Sequence, residues 1–187
     1  FAIALWDRER SELHLIRDRL GIKPLYWAQF GSLFVFGSEL KALLACPGWT
    51  PEVDRNILAA YARWNYVPAP HCIWRGVSKL QPGTRLVVRT GREPRIHTWW
   101  NLRRIAATGL ANPFEGSDKE ATDTLETLLK DAVRRRMVAD VPLGAFLSGG
   151  IDSSLVVALM QAQSTRPVRT FTIGFREPEY SEAPYAK

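Results

Sequence analysis

The sequence predicts two joined folds: an α+β part over residues 1–100 and an α/β part built on a parallel sheet over residues 118–187. Three observations carry this. Residues 1–100 run in short apolar/polar alternations separated by Gly-, Pro- and Ser-containing turns, the pattern of antiparallel hairpins. Residues 101–117 lose the alternation; "AATGLANPFEG" is small and turn-prone and reads as a linker. From residue 142 the order is strand, glycine turn, apolar helix, strand, and a crossover of that kind yields a parallel pair.

Taken in order, "FAIALWD" and "ELHLIRD" flank the turn Arg8–Ser11 and predict a hairpin, as do "LYWAQ" and "LFVFGS" around Phe30-Gly31-Ser32. Between them "RDRLGIKP" carries Gly21 and Pro24 and reads as a structured loop. "SELKALLA" is a short helix stopped by Pro47-Gly48. Asp54 suits the N-cap of a second helix with Ile57, Leu58, Tyr61 and Trp64 on one face. "TRLVVR" and "EPRIHTWW" form a third hairpin through Thr90-Gly91-Arg92. Ser117 and Glu120 have capping-box spacing. They open a long helix whose Ala121, Leu125, Leu128, Leu129, Ala132 and Val133 predict one buried stripe, with Pro142 ending it. The helix "SSLVVALMQAQ" is apolar nearly all round, so it is expected to be sandwiched.

The bulk numbers bound the function. At 187 residues the chain is long enough for one or two domains with a real core. No apolar run approaches the ~20 residues a membrane-spanning helix needs. Two cysteines without CxxC spacing suit a reducing, cytoplasmic setting. "FAIALWD" reads as a strand already in progress, so the chain reads as an excerpt of something longer. A net charge of +6 invites a nucleic-acid reading. The arginines are scattered, however, and the one run, Arg134-Arg135-Arg136, ends a helix where cations complement the dipole. No nucleic-acid partner and no membrane are expected.

The chemistry concentrates in Ser148-Gly149-Gly150-Ile151-Asp152-Ser153-Ser154. This turn lies between the carboxyl end of a strand and a helix start, the edge where open α/β sheets bind ligands. Free N–H groups and the helix dipole make it an anion site, and glycines let the backbone approach phosphate oxygens. A Walker loop would carry Gly-Lys-Ser/Thr, and no lysine occurs between Lys130 and Lys187. Asp152 stands there instead. A carboxylate beside polyphosphate calls for a cation between them, Mg²⁺ being the natural one. Attack at the α-phosphate of ATP, with pyrophosphate left in the loop, is the chemistry suggested. The bland alternative is an ordinary strand-to-helix turn with Asp152 and Ser153 as caps.

SGGIDSS resembles the pyrophosphate loop of N-type ATP pyrophosphatases, and "DVPLGAFLSGGIDSSLVVALM" resembles its version in glutamine-hydrolysing asparagine synthetases. "RDRLGIKPLYW", "FGSELKAL", "YVPAPHCIWRGVSKLQPGTRLVV" and "FTIGFREPEYSEAPYAK" are similar to the same family, in the same order. The resemblance implies the later part of a class II glutaminase domain (an incomplete Ntn-type sandwich), then the start of a Rossmann-like ATP pyrophosphatase domain. It implies an enzyme that activates the aspartate side-chain carboxylate as an adenylate and amidates it with ammonia from glutamine, releasing AMP and pyrophosphate. Carried over by position, Ser148, Gly149, Gly150, Asp152, Ser153 and Ser154 would hold ATP's phosphates. Asp152 would serve Mg²⁺, and Phe146 and Ile173 would meet adenine through backbone groups. Glutamine, aspartate and ATP are the implied substrates, and a homodimer is left open.

The family's glutaminase nucleophile is an N-terminal cysteine. Phe1 cannot take that role, and Cys46 and Cys72 are internal thiols expected in core or loop positions, so this stretch alone is expected to be inactive. His14, His71 and His97 lack metal-ligand spacing. Arg19 and Lys23 either face the glutaminase pocket or brace a loop. The alternatives are a relative that amidates a sugar, peptide or β-lactam precursor, a tRNA-modifying protein using the same loop, and a degenerate non-catalytic module.

Overall fold

The computed structural model describes residues 1–186. It divides the chain into two compact units, Phe1–Asn112 and Pro113–Lys187.

In the first unit, β1 (Ala2–Asp7) pairs antiparallel with β2 (Glu12–Arg17), Leu5 opposite His14. The second hairpin is β3 (Tyr26–Phe30) with β4 (Leu33–Gly37). The short helix follows as α1 (Leu40–Leu44), then α2 (Arg55–Trp64). Asp54 caps α2, its carboxylate accepting from the N–H groups of Asn56 and Ile57. Leu58, Tyr61 and Trp64 of α2 remain about half exposed, so the apolar face read from the sequence has no cover among the described residues. The third hairpin is β6 (Thr84–Arg89) with β7 (Arg95–Thr98). Sequence reading missed β5 (Val77–Lys79), which at three residues is too short to show alternation.

These strands form two antiparallel sheets, ordered β1-β2-β6-β7 and β4-β3-β5. Period-two alternation explains the packing. Leu15 and Leu86 sit opposite one another on adjacent strands and are fully buried, joined by Leu25 and Leu80. Trp27 and Phe34 of the other sheet pack on the same cluster, their rings 6.0 Å apart. Ala28, next along β3, points to the opposite face and packs with Leu43, Cys72 and Val77. The second sheet is thus covered on both faces.

Residues 101–116, patternless in sequence, contain α3 (Leu102–Ala111), capped by the Asn101 side chain on the Arg104 N–H.

In the second unit, α4 (Asp118–Arg136) begins with the expected capping box, Ser117 and Glu120 bonding reciprocally. It stops at Arg136, six residues before Pro142, where the Met137 N–H is shared between the carbonyls of Val133 and Arg134. Its stripe is buried only near the end: Val133 packs with Leu159 and Met160, while Leu125 and Leu128 are exposed. Then come β8 (Gly144–Phe146), α5 (Ile151–Gln161) and β9 (Arg169–Phe171). β8 and β9 pair in parallel, Phe146 opposite Phe171. α5 is not sandwiched among the described residues; Leu159 and Met160 are buried and Ile151 is largely exposed. No helix among the described residues is long and apolar enough to cross a membrane.

Candidate functional site

The glycine turn leaves the carboxyl end of β8 and enters α5 within four residues. Leu147 extends the parallel ladder, its N–H donating to the Phe171 carbonyl (2.9 Å) and its carbonyl accepting from the Thr172 hydroxyl (2.7 Å). The chain then reverses at Gly149, with φ +80°. A Cβ there would collide with Tyr185 Cβ and stand 2.7 Å from that residue's carbonyl carbon. Only glycine meets both the dihedral and the steric demand. Gly150 is the N-cap, at φ −75° and ψ 160°.

Two hydroxyls knit this turn. Ser148 Oγ and Ser153 Oγ are 3.0 Å apart. Ser153 donates to the Gly150 carbonyl (3.1 Å) and accepts from the Ser148 N–H (3.3 Å), and the Gly150 N–H reaches Ser148 Oγ (3.4 Å). No side chain caps α5. Its first-turn N–H groups therefore stay open toward the carboxyl edge of the parallel pair, carrying the positive end of an 11-residue helix dipole. Asp152 and Ser154 are exposed on that first turn. Asp152 makes no hydrogen bond or ion pair among the described residues.

Of the residues singled out in the sequence, Ser148, Gly149, Gly150, Asp152 and Ser153 form one continuous turn. Phe146 lies at the end of β8 and Ile173 just past β9, so both sit at the same edge, with exposures of 80% and 65%. Sequence reasoning missed the 3₁₀ turn Ala183–Ala186, whose Tyr185 main chain presses on Gly149. It also missed Thr172. A tyrosine 36 residues downstream leaves no local signal at the glycine, but the hydroxyl after "RTF" is visible as a polar residue just past a strand end. Among the described residues no three His, Cys, Asp or Glu side chains cluster as metal ligands. The donor set at the turn is one free carboxylate beside an open helix start. That fits Mg²⁺, which takes one or two carboxylates and completes its shell with phosphate oxygens and water.

A second built feature lies in the first unit, in the loop "RDRLGIK". Arg17 is buried and donates to three carbonyls: Nε to Lys23 (2.9 Å), Nη1 to Leu80 (2.5 Å) and Nη2 to Gly21 (2.8 Å). Asp18 does the converse, accepting the N–H groups of Leu20, Ile22 and Lys23 at 3.2, 3.0 and 3.1 Å. Burial pushes the Asp18 carboxyl up, but the backbone donors of Lys23 and Ile22 outweigh it, holding it well below the usual carboxylate range. Burial also lowers the Arg17 guanidinium and raises the Cys72 thiol. Arg19 and Lys23 have exposed side chains. Lys23 acts in the loop through its main chain. Cys72 is in the core and Cys46 in a half-buried loop.

Residues 1–100 match the family model described as a glutamine amidotransferase domain, and residues 124–187 match the one described as asparagine synthase. A Mycobacterium tuberculosis protein named "Putative asparagine synthetase (glutamine-hydrolyzing)" is 38% identical over 185 residues, 97% of this chain and 28% of that protein. Asparagine synthetase (glutamine-hydrolyzing) 3 of Bacillus subtilis is 34% identical over 184 residues, 95% of this chain and 28% of its own length. "Amidase chry2" of Gibberella zeae is 35% identical over 160 residues, covering 86% of this chain and 23% of that protein. The chain thus spans under a third of each of these relatives. With an amidotransferase match over more than half its length and an asparagine synthase match over residues 124–187 behind it, the chain belongs to the glutamine-hydrolysing asparagine synthetase family.

Proposed function

We propose that this chain is the central part of an ATP-dependent ligase that amidates aspartate with ammonia released from glutamine. On this reading residues 1–100 are the later part of a class II glutaminase of Ntn type. Residues 101–117 connect it to the Rossmann-like ATP pyrophosphatase part, residues 118–187. The observation that carries the proposal is the turn from Ser148 to Ser153: an uncapped helix start, a glycine pressed against main chain, and an unpaired carboxylate on one sheet edge.

In that reading ATP's β- and γ-phosphates sit over the first-turn N–H groups of α5, with the hydroxyls of Ser148, Ser153 and Ser154 as further donors. Phe146 and Ile173 flank the adenine through their main chain. Asp152 would hold Mg²⁺, which supplies charge neutralisation between the carboxylate and the phosphate oxygens. An oxygen of the aspartate side-chain carboxylate attacks the α-phosphorus, the α–β bridging P–O bond breaks, and pyrophosphate stays in the turn. Ammonia then attacks the acyl carbon of the adenylate and AMP leaves, giving asparagine. Stabilising the pyrophosphate as charge develops on it is the turn's part in lowering the barrier. A cytoplasmic location and a homodimer belong to the same proposal.

The experiment is to incubate the full-length protein with aspartate, glutamine and Mg-ATP and follow nucleotide products. AMP, pyrophosphate and asparagine in equal amounts support the reading; ADP and phosphate overturn it. A second reading keeps the activation step but changes the acceptor carboxylate, since the turn proposed to hold the phosphates carries nothing that selects the acid. Replacing aspartate by sugar, peptide or β-lactam-precursor acids in an ATP–pyrophosphate exchange assay separates the two.

A further inference from the structure

We infer that the outer face of the β1-β2-β6-β7 sheet binds a small phosphate-bearing anion, held by Arg85, Arg92 and Arg95. Strand register brings these groups together. His14, Val87 and Arg95 form one cross-strand row, Ile16, Arg85 and His97 the next, and Glu12 with Arg89 a third. All project to the face opposite Leu15 and Leu86. Arg85, Arg92 and Arg95 line a hollow of about 280 Å³ over Val87, with Glu12 and Glu93 as its carboxylates.

The charges of this hollow do not balance. Glu12 is buried and fully engaged: one oxygen pairs with Arg89 and the other lies 3.2 Å from His14 Nε2. Arg10, also at the wall, leans toward Asp7 at 4.0 Å. Arg85, Arg92 and Arg95 have no carboxylate within ion-pair distance among the described residues. Like charges set diagonally on neighbouring strands destabilise a sheet. A multiply charged anion in the hollow relieves that repulsion. Guanidinium forks match phosphate oxygens in pairs, and phosphate packs two or more negative charges into a small volume, which a single carboxylate cannot. This site is separate from the glycine turn and shares no residue with it.

The test titrates this chain, carrying Ser148→Ala and Gly149→Ala to disable the glycine turn, with inorganic pyrophosphate by calorimetry, with succinate as the carboxylate control. The expected result is saturable binding that weakens with added salt, falls about tenfold or more with Arg85→Gln and Arg95→Gln together, and is far tighter than for succinate. Arg85→Lys with Arg95→Lys keeps the charge and removes the fork, and should weaken binding about threefold or more even if the glutamine variant misfolds. Absence of saturable binding, unchanged affinity in the lysine variant, or equal affinity for succinate overturns the inference. Because the turn is disabled throughout, none of these outcomes bears on the ligase proposal.

Discussion

The hydroxyls of Ser148 and Ser153 lie 3.0 Å apart across the glycine turn, so the residue before the reversal is tied to the first turn of the helix after it. Each also bonds main chain within the turn. Their removal is therefore predicted to be coupled. Ser148→Ala and Ser153→Ala should each destabilise the chain by about 1 kcal/mol. The double variant should lose less than the sum, with a coupling of about 0.5 kcal/mol or more. Urea unfolding of the four proteins measures this, and strict additivity would mean the contact contributes nothing.

The two glycines beside that contact differ in kind. Gly149 has φ +80° and the Tyr185 main chain 2.7–2.8 Å from where its Cβ would stand, whereas Gly150 has φ −75° and nothing nearer than 3.4 Å. Gly149→Ala should cost about 1–3 kcal/mol through backbone strain and displacement of the 183–186 turn. Gly150→Ala should fall within about 1 kcal/mol of neutral, since alanine also restricts the unfolded chain. Thermal unfolding of both variants checks the contrast; equal losses would remove Tyr185 as the cause.

How much of this was legible in sequence depends on how local the cause is. The three hairpins were, because alternation and turn residues lie within a dozen positions of each other, and so were the caps at Asp54 and Ser117. The helix Leu102–Ala111 was hidden by Gly109 and the turn-prone residues that follow it, although its alanines favour helix and Asn101 was a readable cap. The end of α4 at Arg136 was misjudged because Pro142 is a loud signal, while carbonyl sharing at Met137 leaves none. The stripe of α4 was legible as apolar, but which residues are buried depends on what packs there. Within the candidate site, contiguity made Ser148–Ser153 readable. The pressure of Tyr185 on Gly149 and the Thr172 bond to Leu147 are tertiary, and periodicity does not encode them.

Asp18 organises its loop by accepting three N–H groups while buried, which gives the protein an acid-sensitive element. Its carboxyl is depressed in the folded chain, so the stabilisation is fully present above the unfolded value of about 4. It is lost progressively as pH falls below that value toward the folded one. Asp18→Asn should cost about 1–3 kcal/mol at neutral pH, because an amide accepts these donors less strongly and adds donors with no acceptor nearby. The gap between variant and parent should narrow on acidification below about pH 4. Urea midpoints from neutral pH down to the acid range measure this; a gap that stays constant would mean the carboxylate charge is not what holds the loop.

Asp152 presents the opposite case, a carboxylate with no partner among the described residues and therefore little structural work to do. As an acidic residue in the first turn of α5 it complements the helix dipole, so Asp152→Ala should cost at most about 0.3–1 kcal/mol. If it holds the cation beside ATP, the same change in the full-length protein should lower ATP–pyrophosphate exchange by about 100-fold or more. Asp152→Asn, which keeps shape and removes charge, should behave like alanine, whereas a residue acting only as a helix cap would tolerate asparagine well. Exchange rates measured beside unfolding curves separate these roles. Exchange within a few-fold of the parent in both variants would remove Asp152 from the phosphate site, and with it the strongest reason to read this turn as more than a tight bend.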